Sequence, residues 1–366
     1  MEKVSIKDKI TELEKEISST KYNKATQHHI GLVKAKIAHL KEKQESRSSG
    51  GKKGEGYSLK KSGDATVILL GFPSVGKSTL LNALTNAKSP VGSYDFTTLT
   101  VIPGTLHYKH AKIQILDVPG IVSGAASGRG RGKEVLAVIR NADLILILID
   151  ALQPQQSKKI LKEVFDTKVR INQDKPDVRI TKQPRGGIRI GKTVKLDIKD
   201  ETITGILREF SISNADILIR DKINEDQLID VIEGNRSYIP SLTVLNKTDL
   251  LDKKSLDKVK KDLKPDLIIS AQKKVNINKL KAGIYKKLNF IRIFLKEINQ
   301  AADMEEPLIV KKGFTIGDVC RSLHKDFVSK FKHARLWGPS AKFPGQKFQK
   351  LDKLLKDEDV LEIHLK

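Results

Sequence analysis

The sequence predicts an α/β fold, a doubly wound and mainly parallel sheet with further modules attached before, within and after it. Three observations predict it. Short continuous apolar runs recur at Ala65–Leu70, Lys112–Leu116, Leu144–Ile149, Leu242–Leu245 and Leu267–Ile269, the pattern of strands buried on both faces. Helical patterns lie between several of them, at Lys77–Ala87, Gly132–Arg140, Ser255–Leu263 and Ile277–Leu288, and strand alternating with helix is the signature of βαβ units. The first run ends on a glycine-rich turn that leads straight into a helix.

Taken in chain order, Ile6, Ile10, Leu13 and Ile17 make an apolar stripe along a charged helix. Ile30, Val33, Ile37 and Leu40 make a second, with turn chemistry at Ser18-Ser19-Thr20 and Tyr22-Asn23 between them, so a helical hairpin is expected. From Lys41 the apolar pattern stops, and Ser48-Ser49-Gly50-Gly51-Lys52-Lys53-Gly54 reads as a basic linker. Residues 1–63 are therefore assigned to hairpin and linker, and 64–154 to the first part of the central domain.

About ninety residues separate Ile149 from Leu242, far more than a crossover needs. An insert is expected over residues 155–237. It contains strands at Val178–Thr181 and Ile188–Thr193 around a Pro184-Arg185-Gly186-Gly187 turn, and a third at Ile217–Arg220. Its helices are expected at Thr202–Phe210 and Glu225–Ile232, the second opened by Asn224 and Gln227 at capping-box spacing. The central domain resumes over 238–298. A small β-rich domain follows over 299–366, with strands at Leu308–Val310, Ala334–Trp337 and Val360–Leu365 and a helix at Thr315–His324.

Lys and Arg number 68 against 44 Asp and Glu, a formal charge of +24. A cationic excess of this size favours a polyanionic partner, with nucleic acid the usual one. The single cysteine, Cys320, excludes an intramolecular disulfide and reads as a small buried residue of a reducing compartment. No leader-like apolar run follows Met1, and the most apolar segment, Leu144–Ile149, is too short to span a bilayer. A soluble, cytoplasmic protein is expected, with neither a membrane nor DNA as partner.

The residues that carry chemistry cluster at the carboxyl ends of the predicted strands. Gly71-Phe72-Pro73-Ser74-Val75-Gly76-Lys77-Ser78, continued by Thr79, matches the phosphate-binding P-loop between a strand and a helix. Backbone N–H groups of such a loop surround the β-phosphate, Lys77 reaches the β/γ oxygens, and the Ser78 hydroxyl binds Mg²⁺. Asp117-Val118-Pro119-Gly120 places a carboxylate at the end of the next strand, where Asp117 can hold Mg²⁺ through water. Alone it is ordinary turn chemistry. Downstream of a P-loop it becomes specific.

Asn246-Lys247-Thr248-Asp249 selects the base. The Asp249 carboxylate can accept from both N1–H and the exocyclic amine of guanine, whereas adenine leaves it unpaired at a cost of several kcal/mol, roughly the scale of discrimination at hydrogen-bonding sites. Lys247 can cover the base and Asn246 can tie this loop to the P-loop. Ser270-Ala271 offers backbone N–H groups to the guanine carbonyl oxygen. Phe96-Thr97-Thr98-Leu99 lies where a switch segment supplies a threonine to Mg²⁺ and an N–H to the γ-phosphate.

The ordered set GFPSVGKST, YDFTTLT, DVPGIVSGAASGRGRGKE and NKTD resembles the Obg-related GTPases, and most closely the DRG (developmentally regulated GTP-binding) family, over the whole chain. The insert's QPRGGIRI resembles that family's glycine-rich stretch. Phe314-Thr315, Lys332–Gly338 and Asp357–Val360 look like its C-terminal TGS domain, which implies a β-grasp-like fold. The resemblance implies GTP and GDP as ligands, Mg²⁺ as cofactor, Thr98 as the switch threonine beside Lys77 and Gly120 in catalysis, and hydrolysis of GTP to GDP and phosphate. It also implies help from potassium, and Ser74 stands where many potassium-dependent GTPases carry asparagine.

Ile121 follows Gly120 where Ras-like GTPases place a water-orienting glutamine, so slow intrinsic hydrolysis is expected. Arg129 and Arg131 are candidates to act in cis, with a basic loop as the alternative. The family further implies a ribosome or RNA partner in translation, and a regulatory protein partner. Lys325, Lys330, Lys332, Arg335, Lys342 and Lys347 form a dense basic run, either for such contacts or as a solvated face, while Trp337 and Phe343 read as core. The rival reading is an RNA-binding scaffold whose guanine-nucleotide site is mainly structural.

Overall fold

In the computed structural model the described residues are 5–48, 63–85, 102–117 and 138–366. Thr97, Thr98, Gly120, Ile121, Arg129 and Arg131 lie outside them, as do most of the basic linker and most of the helix expected over Gly132–Arg140. The described residues form two compact units. One holds 5–48 with 173–238, the other the remaining residues up to 172 together with 239–366.

The second unit is built on a six-stranded sheet. Its spatial order is Leu267–Ile268, Ser241–Asn246, Leu144–Asp150, Ala65–Leu70, Ala111–Asp117 and Ile102–Tyr108. All pairings are parallel except the last, where Ile102–Tyr108 runs antiparallel as the edge strand. The apolar runs are continuous because alternate residues enter different layers. Val67, Leu69, Leu146 and Leu148 meet Leu80, Leu81 and Leu84 of the helix Lys77–Leu84 and Leu280 and Ile284 of the helix Ile277–Lys287. Ile68, Leu70, Ile145, Ile147 and Ile149 face the opposite way, against Val138, Ile139 and the helix Gln156–Asp166.

Two expected boundaries move. Helix Gln156–Asp166 buries Ile160 and Val164 against the sheet, so the insert begins near residue 173 and not at 155. Phe290–Leu295 belongs to the C-terminal sheet, because Ile291 and Ile293 enter that sheet's core, so the last domain begins near 290 and not at 299. The spatial order there is Leu308–Lys311, Phe290–Leu295, Asp359–Leu365, Phe331–Trp337 and Gln346–Phe348. Helix Ile316–Leu323 covers one face with Ile316, Val319 and the buried Cys320, and its start is fixed by a reciprocal Thr315/Asp318 cap. Phe343 is 59% exposed and is no core residue, while Trp337 is half-buried with the Lys296 ammonium 4.9 Å from its ring centre.

The first unit joins the hairpin to the insert, which the sequence reading kept apart. Helices Ile6–Ser19 and Gln27–Ser48 pair through Ile10, Val33 and Ile37. The second helix also sends Ala35 into the insert's own core, Gln27 donates to the buried Glu225 at 2.7 Å, and Lys34 pairs with Asp226 at 2.7 Å. The insert itself is a three-stranded sheet, ordered Val178–Lys182, Ala215–Ile219, Ile188–Lys192, with helices Asp200–Glu209 and Glu225–Glu233 packed on one face. Among the described residues no helix is long and apolar enough to cross a membrane.

Candidate nucleotide-binding site

The carboxyl ends of the five parallel strands bring the predicted residues together, where an open α/β sheet places its ligand. Strand Ala65–Leu70 runs into the loop from Gly71, and Gly76 turns the chain into the helix Lys77–Leu84 at φ +92°. No side chain caps this helix start. Its first-turn N–H groups, with the positive end of the helix dipole, are therefore left to an anion. Ser74 also adopts a left-handed conformation, at φ +63°. Pro73, Ser78 and Thr79 are exposed beside it, whereas Val75 is buried.

Lys77 is folded back on its own loop, donating to the Gly71 carbonyl at 3.1 Å and the Phe72 carbonyl at 3.0 Å. Burial pushes the pKa of its ammonium down, and the Asp117 carboxylate acts in the opposite sense. A phosphate would offer it a stronger, charge-assisted partner than two neutral carbonyls.

Ser78 Oγ donates to Asp117 Oδ2 at 3.1 Å, bringing together the two side chains expected at a cation. The other oxygen, Asp117 Oδ1, is buried and has no hydrogen-bond partner among the described residues. A buried carboxylate oxygen without a donor is costly. A hydroxyl and a half-satisfied carboxylate form a hard, all-oxygen donor pair, which fits Mg²⁺.

At the base end, Asn246 Nδ2 donates to the Val75 carbonyl at 2.8 Å, so the two loops are tied as expected. A Cβ on Gly76 would lie 2.6 Å from that Nδ2. Glycine is required there twice, for its φ and for the close approach of Asn246. The two N–H groups of Ser270-Ala271 already have partners within the protein. The Ala271 N–H donates to Asn246 Oδ1 at 2.9 Å, and the Ser270 N–H faces the Val275 carbonyl at 3.3 Å. Neither is free as it stands, because a buried amide oxygen needs a donor and Ala271 is the nearest.

Asp249 sits just after the αL residue Lys247, in the short 3-10 turn Thr248–Leu250. The Ser270 hydroxyl, followed by local backbone and Lys273, holds its carboxyl below the ordinary range, so an ionised acceptor faces the site at neutral pH. Sequence reasoning missed two residues here. Asp150 stands beside Asn246 in the strand register and accepts from Lys247 Nζ at 2.7 Å, anchoring the side chain expected to cover the base. Lys273 Nζ lies 3.8 Å from Asp249. Asp150 was legible only as the polar residue ending an apolar strand. Thr98 and Gly120 lie outside the described residues.

Residues 66–182 match a family described as 50S ribosome-binding GTPase, residues 185–290 the C-terminal region of that domain, and residues 291–365 the TGS domain. An uncharacterized GTP-binding protein of Methanocaldococcus jannaschii is 51% identical over 99% of this chain and 94% of its own. Developmentally-regulated GTP-binding protein 2 of Homo sapiens is 41% identical over 98% of this chain and 99% of its own. Among solved structures, a GTP binding protein from Pyrococcus horikoshii aligns with a TM-score of 0.41 at 14% identity, covering 82% of this chain and 100% of that one.

Proposed function

This chain belongs to the family of developmentally regulated GTP-binding proteins, and on that premise we propose that it is a Mg²⁺-dependent, GTP-hydrolysing switch acting in the cytoplasm on or beside the ribosome. The observation that carries the nucleotide reading is the convergence of Lys77, Ser78 and the half-satisfied Asp117 carboxylate at an uncapped helix start. In this reading Ser78 and Asp117 hold Mg²⁺, with Thr98 as a further ligand. Bound there, Mg²⁺ supplies charge neutralisation at the β- and γ-phosphate oxygens.

The chain's own groups do the rest. The N–H groups of the P-loop from Ser74 to Thr79 cradle the phosphates, and Lys77 exchanges two carbonyls for phosphate oxygens. Asp249 accepts two hydrogen bonds from guanine, and Lys247, anchored by Asp150, covers the ring. Asn246 joins the phosphate and base loops. The Gly120 N–H senses the γ-phosphate. Potassium enters the proposal as a stimulant of hydrolysis, which equal rates in potassium and sodium would remove.

The ribosome part rests on the +24 charge and on Lys325, Lys330, Lys332, Arg335, Lys342 and Lys347, every one of them exposed. It agrees with the description of the family matched over residues 66–182. Sedimentation with ribosomal subunits in the GDP, GTP-analogue and nucleotide-free states, together with GTP turnover, tests the whole. Different affinities in the three states are expected, because a ligand acts at a distance only through differential affinity for two states. Identical binding with no turnover would leave the scaffold reading.

A further inference from the structure

The insert separates its charges between two layers. From Val178 to Lys192 the chain carries Arg179, Lys182, Arg185, Arg189 and Lys192 with no Asp or Glu among them. The helices on the other side carry acids at Asp200, Glu201, Glu209, Glu225, Asp226, Asp230 and Glu233. Strand alternation sends Val178, Ile180, Ile188, Ile190, Ile217 and Ile219 to the helices. Arg179, Leu218 and Gly191, paired in one row, and Thr181, Asp216 and Arg189 in the next, must then face outward.

That outward face is open. Arg179, Arg185 and Arg189 are all exposed, and among the described residues none has a hydrogen bond or ion pair. The acid in the middle, Asp216, accepts from Gln183 at 2.6 Å. Gly186 and Gly187, at φ +109° and +74°, make the tight turn between Arg185 and Arg189, and the Arg189 guanidinium curls over it, 3.5 Å from where a Gly186 Cβ would lie. Arg179 and Arg189 stand on the two outer strands, in neighbouring rows, with backbones about 12 Å apart.

We propose that this outer sheet face, with Arg179, Arg185 and Arg189, is a contact surface for the phosphate backbone of RNA. The proposal rests on the RNA reading given above, and it places a contact in the insert as well as in the C-terminal domain. Unpaired guanidinium forks match phosphate oxygens and are more weakly hydrated than ammonium groups. No aromatic side chain stands in these rows, so bases have no stacking platform and the contact is with the backbone, independent of sequence. An acidic peptide shares only the charge, and it is an outcome of the test.

The test compares the full-length chain with a variant carrying Arg179→Gln, Arg185→Gln and Arg189→Gln, by titrating protein-free ribosomal RNA over a range of salt. A circular-dichroism spectrum and thermal unfolding curve matching the parent chain's verify the fold. The expected result is that the slope of log affinity against log salt shrinks by about two to three units. Neutralising Lys254, Lys258 and Lys261 on the helix Lys253–Leu263 should change it by less than one. The three arginines changed to lysine should keep the slope and lose affinity.

Equal losses in the arginine and lysine sets would assign the effect to net charge and overturn the proposal. So would an unchanged slope in the arginine variant of a chain that does bind RNA, leaving the RNA reading itself standing. A parent chain that binds no RNA at low salt overturns both. Competition by polyglutamate as strong as by RNA overturns the choice of partner.

Discussion

Replacing Gly76 by alanine tests the clamp between the phosphate loop and the guanine loop. Gly76 has φ +92°, and an L-residue in that region costs about 1–2 kcal/mol. Its new methyl would lie 2.6 Å from Asn246 Nδ2. Asn246 is buried and bridges Val75 at 2.8 Å and Ala271 at 2.9 Å, so moving it leaves at least one buried polar group unpaired, at about 1–3 kcal/mol. The sum is roughly 2–5 kcal/mol. If about half appears in binding, GDP affinity falls roughly 5- to 70-fold, and the remainder lowers the melting temperature of the nucleotide-free protein. Titration with a fluorescent GDP and thermal denaturation without nucleotide read the two parts. Ser74→Gly, at φ +63°, is the contrast, since it relieves strain and should leave affinity within about threefold. Gly76→Ala with affinity within threefold and an unchanged melting temperature would refute the clamp.

Asp249→Asn should weaken GTP and favour xanthosine nucleotides, because an amide donor then faces a carbonyl; competition binding that leaves GTP affinity within twofold would reject the guanine contact. Deleting residues 299–366 should destabilise the chain, since Ile291 and Ile293 lose the sheet that buries them, while a deletion from 290 should leave GDP affinity nearly unchanged. Thermal unfolding of the two truncations decides it, and equal stability would move the boundary back. Asp318 is held down to about 2, first by the Thr315 hydroxyl and then by the Thr315 N–H and Arg321. A depressed folded pKa stabilises above the ordinary carboxylate range of about 4 and is lost as pH falls from there towards 2. The difference in melting temperature between the parent chain and Asp318→Asn should therefore shrink over that window, and a constant difference would show that the Asp318 charge contributes nothing.

What could be read from the sequence followed from how local the cause was. The buried parallel strands announce themselves because both neighbouring layers demand apolar side chains, so Ala65–Leu70 and Leu144–Asp150 are continuous runs. The edge strand Ile102–Tyr108 has one paired edge and carries Pro103, Gly104, Thr105 and His107, which broke the apolar signal. Helix Gln156–Asp166 hides for a similar reason, since the sheet takes little more than Ile160 and Val164 while Leu161 and Phe165 stay exposed. Phe290–Leu295 follows the helix Ile277–Lys287 at once, and its short apolar run carries no mark of which sheet it joins.

The nucleotide motifs were legible because each is a short stretch at a strand end, where one loop supplies several groups. What escaped was the pairing between loops. The use of the Ala271 N–H by Asn246 and the anchoring of Lys247 by Asp150 join residues 25 and 97 positions apart. The hairpin and insert meet over a larger gap, with Gln27 and Glu225 separated by 198 positions, and no periodicity records such a contact. The Ala271 contact also bears on mechanism. If guanine takes that N–H through its carbonyl oxygen, Asn246 Oδ1 must find another donor, so base binding and the Val75 end of the P-loop move through one side chain. In that exchange, arrival of the base would act on the geometry of the phosphate loop through Asn246.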